Sequence, residues 1–314
     1  MKTPNIFNYA TSELSQDAFL CYLCEFGMEK FKNSEEYKLA HKFLALCAIP
    51  EDEKIENIKR QYCKIDVLIE TENFFLIIED KTDINEHDDQ ISRYAEIMHS
   101  ENKNKKIKVC YFKTGDYVQD YKADGKILSD KDVYSLRRKD ILGLLENYHK
   151  DKVINMFYDK LASVENEIKN CDENDISTWT KSKWFDVIYN ALKNNNKITD
   201  RVNIEDVPNA QGGFYGCWFD FKRIEELTVY KQIEIHIKDN KTEKVNLCLR
   251  CDAENKDIAK KHKEDMKNWL KKAEKIGYIS PRIHTGKTTA FAYQEAKTKD
   301  DVLDFINDDI LTKL

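Results

Sequence analysis

Ile65-Asp66-Val67-Leu68-Ile69-Glu70-Thr71-Glu72-Asn73-Phe74-Phe75-Leu76-Ile77-Ile78-Glu79-Asp80-Lys81 is the stretch that decides the fold. Ile65, Val67 and Ile69 alternate with Asp66, Leu68 and Glu70, the two-residue period of a strand. Thr71-Glu72-Asn73 interrupts that pattern, and Phe74 to Ile78 is then apolar at every position, as expected of a second strand buried on both faces. With Glu72 and Asn73 as the central turn residues, Thr71 faces Phe74, residue i pairs with 145 − i, and Asp66 falls directly across from Glu79. Alternation puts Lys81 on the face of Glu79 and turns Asp80 to the other.

Two neighbouring carboxylates repel and raise one another's pKa unless a cation lies between them, and hard carboxylate oxygens suit Mg²⁺. The tripeptide E-x-K alone carries little weight, because it recurs at Glu36, Glu101, Glu167, Glu254 and Glu295. The copy at Glu79 alone follows a five-residue apolar run and has an aspartate at hairpin distance on the preceding strand. Downstream, Gln90 and Tyr94 are spaced i, i+4 and share a helix face, where a tyrosine is ordinarily core. Upstream, Glu13 opens the first helix, a position where the helix dipole stabilises an acid whatever its function.

Outward from the hairpin the pattern turns helical. Leu14 to Phe31 and Glu35 to Ala48 read as two helices before it, and the second ends ahead of Pro50. After it, Glu86 to His99 reads as a helix and Ile107 to Phe112 as a strand; Lys126 to Leu128 is expected to add a short strand, and Leu136 to Tyr148 and Val153 to Ile168 two helices. A polar, acidic stretch from Asn170 to Ser177 marks a domain boundary. Beyond it the patterns give a helix at Lys183 to Leu192, strands near Phe214 to Phe221, Tyr230 to Ile237 and Val245 to Cys251, a long helix from Asp257 to Ile276, a strand at Thr289 to Tyr293 and a last helix from Asp301.

Composition excludes several classes. A chain of 314 residues with 41% hydrophobic and 11% aromatic residues, nine glycines and four prolines is neither disordered nor low in complexity. Its longest apolar run is far short of the roughly 18 residues a membrane span needs, and no basic, apolar leader opens it, so a cytoplasmic protein with no membrane partner is expected. Nine cysteines without framework spacing read as reduced thiols, and the pairs Cys21/Cys24 and Cys248/Cys251 as buried small hydrophobes rather than a zinc site. Thr285-Gly286-Lys287-Thr288-Thr289 is not a phosphate-binding loop, because the required first glycine is Pro281. The net charge of −6 speaks mildly against a nucleic-acid partner. Much of that acidity is local, however: Glu79 to Asp89 holds six acids and one lysine, whereas basic residues gather at Lys103, Lys105, Lys106 and Lys108, at Arg137, Arg138 and Lys139, and along 256–275.

Asp66, twelve residues, Glu79-Asp80-Lys81 and then Gln90-Ile91-Ser92-Arg93-Tyr94 resemble the PD-(D/E)XK nuclease superfamily, in particular its RecB-type branch with a Q-x-x-x-Y motif. The motif's proline is Ile65 here, a position that varies widely in that superfamily. The resemblance covers roughly residues 1–150. It implies an α/β fold with a restriction-endonuclease-like αβββαβ core in a nuclease-like domain at 1–170; the smaller α+β domain expected at 171–314 lies outside the resemblance and rests on the patterning alone. The resemblance also implies Mg²⁺ or Mn²⁺ held by Asp66, Glu79 and the Asp80 backbone, with Glu13 as a further ligand, and Lys81 to orient or activate the attacking water. Gln90 and Tyr94 would contact substrate phosphate or steady that lysine. The expected activity is metal-dependent hydrolysis of DNA phosphodiester bonds, in defence or DNA processing, with DNA favoured over RNA and a homodimer allowed. The rival readings are an RNA-directed nuclease, and a non-catalytic nucleic-acid or protein-binding module that keeps the fold.

Overall fold

The computed structural model describes residues 4–9, 12–81, 90–116, 127–199, 201–209, 213–279 and 286–313, with the backbone alone described for Ser12, Glu13 and Lys81. The chain is mixed α/β and divides into two compact units, with the change from one to the other between Asn166 and Glu167.

In the first unit, α1 (Ser12–Glu25) and α2 (Glu35–Leu46) precede β1 (Ile55–Tyr62), β2 (Ile65–Thr71) and β3 (Phe74–Lys81). Then come α3 (Gln90–Glu101), β4 (Lys106–Lys113), β5 (Val133–Arg137), α4 (Arg138–Leu145) and α5 (Lys152–Asn170). The strands form one sheet in sequential order, antiparallel from β1 to β3 and parallel from β3 to β5. The β2–β3 ladder pairs Val67 with Ile78, Leu68 with Ile77, Ile69 with Leu76 and Glu70 with Phe75, the register that the Glu72-Asn73 turn requires. Two buried side chains lock this turn. The Thr71 hydroxyl accepts from Phe74 N at 3.0 Å, and the Glu53 carboxylate accepts from Asn73 N at 2.6 Å and Asn73 Nδ2 at 3.2 Å.

Alternation along β2 and β3 splits the sheet's two faces. Val67, Ile69, Leu76 and Ile78 join Phe19, Leu23, Phe43, Ile141 and Phe157 in one core, which places α1, α2, α4 and α5 on that side. Leu68 and Ile77 are equally buried on the other side, where α3 packs on β3 and β4 with Ile91, Tyr94, Ala95 and Met98 inward. β3 is therefore covered on both faces, each of its apolar side chains contributing about 2 kcal/mol by burial.

The patterning missed some boundaries. Strand β1, Ile-Glu-Asn-Ile-Lys-Arg-Gln-Tyr, is mostly exposed and carries no apolar alternation, because it is the sheet edge. Of the strand expected at 126–128, Lys126 lies outside the described residues and Ile127 and Leu128 are not in a strand; β5 runs instead at Val133–Arg137, so the expected Leu136 helix starts only at Arg138.

The second unit is an antiparallel meander of β6 (Asn203–Val207), β7 (Phe214–Ile224), β8 (Leu227–Lys238), β9 (Lys241–Ala253) and β10 (Thr288–Ala296), accompanied by α6 (Lys181–Asn194), α7 (Lys256–Lys261), α8 (Lys263–Glu274) and α9 (Lys299–Asn307). Lys231 is fully buried on the apolar face of β8. Its ammonium donates to the carbonyls of Phe305 in α9, at 2.9 Å, and of Asp308 just beyond it, and pairs with Asp220 at 3.1 Å; burial lowers its pKa.

The single lysine-rich helix expected from Asp257 to Ile276 is two, broken at His262. The buried ring explains the break by tying the junction to the β7–β8 turn. Nε2 lies 3.0 Å from Glu226, which also pairs with Lys261, and Nδ1 lies 2.8 Å from Asp265 and 3.4 Å from Glu225. The hydrogen bond to Glu226, then that to Asp265, raises the imidazole pKa. A raised folded-state pKa stabilises fully below the unfolded value of about 6.5 and is lost as pH climbs through the folded one. His262→Gln should therefore cost about 1 kcal/mol at pH 6 and little at pH 9, read by denaturant midpoints at both. An equal cost at both would exclude the charged imidazole.

Candidate active site

The β2–β3 register runs toward Asp66 and Glu79, and the contact at its end is direct: Asp66 Oδ2 accepts from the backbone N–H of Asp80 at 3.0 Å. Asp66 is thus the last anchor between the two strands. Glu79 and Asp80 are both about 1% exposed, Glu79 opposite Asp66 by register and Asp80 on the face of Ile78. Lys81 closes β3 and is paired in parallel with Lys113 of β4, which is paired with Arg137 of β5. Its side chain lies outside the described residues, as does that of Glu13. Lys113 is 1% exposed, its ammonium 4.5 Å from the centre of the Tyr111 ring.

Gln90 and Tyr94 meet as their spacing predicts, Gln90 Nε2 donating to the phenol oxygen at 3.1 Å. The phenol donates in turn to the Lys64 carbonyl at 2.7 Å, in the β1–β2 turn just ahead of Asp66. The pair ties α3 to the base of the strand that carries the aspartate.

Three residues absent from the sequence reading complete the acidic corner. Asp17, one turn beyond Glu13 on α1, is 1% exposed. Its Oδ2 accepts from Gln61 Nε2 at 3.3 Å, and the same nitrogen donates to Asp66 Oδ1 at 3.1 Å, so one amide bridges two carboxylates. Arg60 Nε stands 3.6 Å from Asp17 Oδ2. Burial, then the charge of Asp66, pushes the Asp17 carboxyl up to about 6, against the pull of Gln61 and Arg60. Its Oδ1 is buried with no hydrogen-bond partner among the described residues. Gln61 reaches both acids from a left-handed backbone, φ 54°, a conformation that costs a non-glycine residue on the order of 1 kcal/mol.

Asp17 is buried and Asp66 half-buried, with one neutral amide between them, and Glu79 and Asp80 are buried at the end of β3. The proposed lysine patches fare less well as polyanion sites. Lys105 is bound to Glu56, Glu70 and the Thr71 carbonyl, Lys108 to Asp132, and Arg138 is buried against Glu165. Lys260, Lys261 and Lys267 also pair with acids. The nine cysteines are all free thiols; burial raises the pKa of Cys24, Cys217, Cys248 and Cys251, as it does for inert core residues.

Among the described residues, three metal-ligating side chains come within ligand distance of one another only at Glu225, His262 and Asp265 of the second unit, where the carboxylates already engage the imidazole; no three of Asp17, Asp66, Glu79 and Asp80 do so. No helix among the described residues is long and apolar enough to cross a membrane. No family model, no curated protein and no solved structure matches the chain.

Proposed function

We propose that the chain is a metal-dependent nuclease of the PD-(D/E)XK type. The observation that carries the reading is the β2–β3 ladder, which ends at Val67–Ile78, one position before Asp66 and Glu79, with the Asp66 carboxylate bound to the Asp80 N–H and joined to Asp17 through Gln61. Support also comes from the element order of the first unit, in which α1 and α2, three strands, α3 and β4 follow one another around a mixed sheet.

In this reading Asp66, Glu79 and the Asp80 carbonyl would hold Mg²⁺ or Mn²⁺, with Glu13 as the further α1 ligand that the resemblance implies and Asp17 as a second α1 carboxylate, joined to Asp66 through Gln61. The ion supplies Lewis-acid stabilisation of the charge that builds on the phosphate during in-line displacement. Lys81 would orient or activate the attacking water, as the resemblance implies. Gln61 keeps Asp17 and Asp66 apart at fixed separation, and the Gln90–Tyr94 pair holds the turn before Asp66 in place. DNA is the favoured substrate, with RNA as the alternative outcome of the same assay.

Purified protein should cut single-stranded or plasmid DNA in Mg²⁺ or Mn²⁺ and stop in EDTA. No cleavage of DNA or RNA with either ion, across pH 6 to 9, would overturn the reading.

A further inference from the structure

Beside the acidic corner lies a cavity of about 520 Å³ in the first unit, lined by Ile6, Phe7, Leu14, Ala18, Tyr22 and Arg60 among others. The size falls in the range of small-ligand sites, roughly 300–1,000 Å³. Its walls are held in advance. The Tyr22 phenol donates to Asp151 at 2.7 Å, and the same carboxylate accepts from Val153 N at 2.8 Å and Ile154 N at 2.9 Å at the start of α5. Phe7 packs edge-on against Phe19 and Phe157, at 6.2 and 5.2 Å between ring centres. The mouth is apolar and open, with Leu14 49% and Ile6 62% exposed.

Arg60 joins cavity and corner: it lines the first and stands 3.6 Å from Asp17 in the second. The Arg60 side chain is 43% exposed, so its charge is within reach of an incoming anion while Nε stands by Asp17. A ligand suited to both parts has a flat apolar body and an anionic group directly beside it. A nucleotide within a strand meets that description.

We propose that this cavity receives the unstacked base next to the scissile phosphodiester, with Arg60 on the flanking phosphate, so that the substrate must be single-stranded or frayed where it is cut. The inference rests on the nuclease reading and names its substrate class. A base in a duplex reaches such a cavity only after unpairing, at a cost of a few kcal/mol, whereas a single strand gains about 1–3 kcal/mol for each base stacked on an aromatic wall.

The test uses the full chain and a 15-nucleotide DNA carrying one 2-aminopurine, single-stranded or annealed to its complement, with Ca²⁺ in place of Mg²⁺ for binding and Mg²⁺ for cleavage. The expected result is at least tenfold tighter binding of the single strand, with a change in 2-aminopurine fluorescence, and the same preference in cleavage rate. Ala18→Trp, which fills the cavity, and Leu14→Asp, an exposed change at its mouth, should each cut that preference at least fivefold; Arg60→Ala should weaken binding of both strands and its salt dependence. Equal binding and cleavage of the two forms, or a preference untouched by both cavity variants, would overturn the proposal. Selective single-strand binding with no hydrolysis would instead overturn the nuclease reading and leave the cavity's ligand as assigned.

Discussion

Asp66→Asn and Glu79→Gln should each lower Mg²⁺-dependent DNA hydrolysis at least about 1,000-fold while leaving the protein folded, the loss expected when a principal electrostatic contact to the transition state is removed. The choice of amides matters. An asparagine in place of Asp66 keeps one oxygen that can accept from the Asp80 N–H, a bond now made at 3.0 Å by Asp66 Oδ2, and gives up the bond that Oδ1 accepts from Gln61, so the strand contact survives and the cost in stability should stay at about 1–2 kcal/mol. Removing the charge of Asp66 also relieves Asp17, whose carboxyl that charge helps to push up to about 6. A folded variant with no activity is therefore the outcome that separates chemistry from architecture.

A second readout does not depend on turnover. An ion that binds only the folded chain stabilises it by about 2.7 kcal/mol at a hundredfold excess over its dissociation constant, so Mn²⁺ or Mg²⁺ should raise the unfolding temperature of the wild type. The same titration should leave Asp66→Asn and Glu79→Gln nearly unmoved. Activity within tenfold of wild type in either variant, or an equal thermal response to the ion, would sink the assignment of these two carboxylates.

What could be read in advance follows from where each constraint sits. The Phe74 to Ile78 run and the Thr71-Glu72-Asn73 interruption are local, and together they fix a register with no tertiary information; the β2–β3 ladder has that register. Gln90 and Tyr94 were visible for the same reason, since four residues along a helix are neighbours whatever the helix touches. The edge strand β1 was not, because one exposed side and an end of the sheet remove the apolar alternation that marks a strand. The break at His262 depends on Glu226, 36 residues away, and no local pattern encodes it. Asp17 was hidden by ambiguity of another kind. A carboxylate near a helix N-terminus is stabilised by the dipole in any protein, and only the approach of Gln61 and Asp66 from other elements shows that this one is buried among acids. Lys113 and Arg138 belong with it, as charges at strand and helix ends whose burial depends on what folds over them.

Arg138→Leu should destabilise the protein by about 3–5 kcal/mol, the cost of leaving a buried partner uncompensated. Arg138, 9% exposed at the first residue of α4, holds three partners at once: Nε donates to Glu165 of α5 at 2.7 Å, and Nη1 donates to the Thr114 carbonyl after β4 at 2.8 Å and pairs with Asp116 at 3.0 Å. Burial pulls its pKa down, and Asp116 and Glu165 more than offset that pull, so the charge is secure. Leucine fills part of the space but strands the Glu165 carboxylate, itself 8% exposed, and a carbonyl with no donor in its place. At roughly 2–4 °C per kcal/mol for a unit of this size, the unfolding temperature should fall by roughly 6–20 °C. The double variant Arg138→Leu/Glu165→Leu distinguishes a lost interaction from a stranded charge. If the penalty is the orphaned carboxylate, removing it as well should recover most of the stability, because an apolar pair of similar volume often replaces a buried ion pair at little net cost. A double variant less stable than the sum of the singles would show that the pair holds α4, α5 and the end of β4 together by geometry that leucines cannot supply. A single variant costing under about 1 kcal/mol would show that water reaches Glu165 in solution.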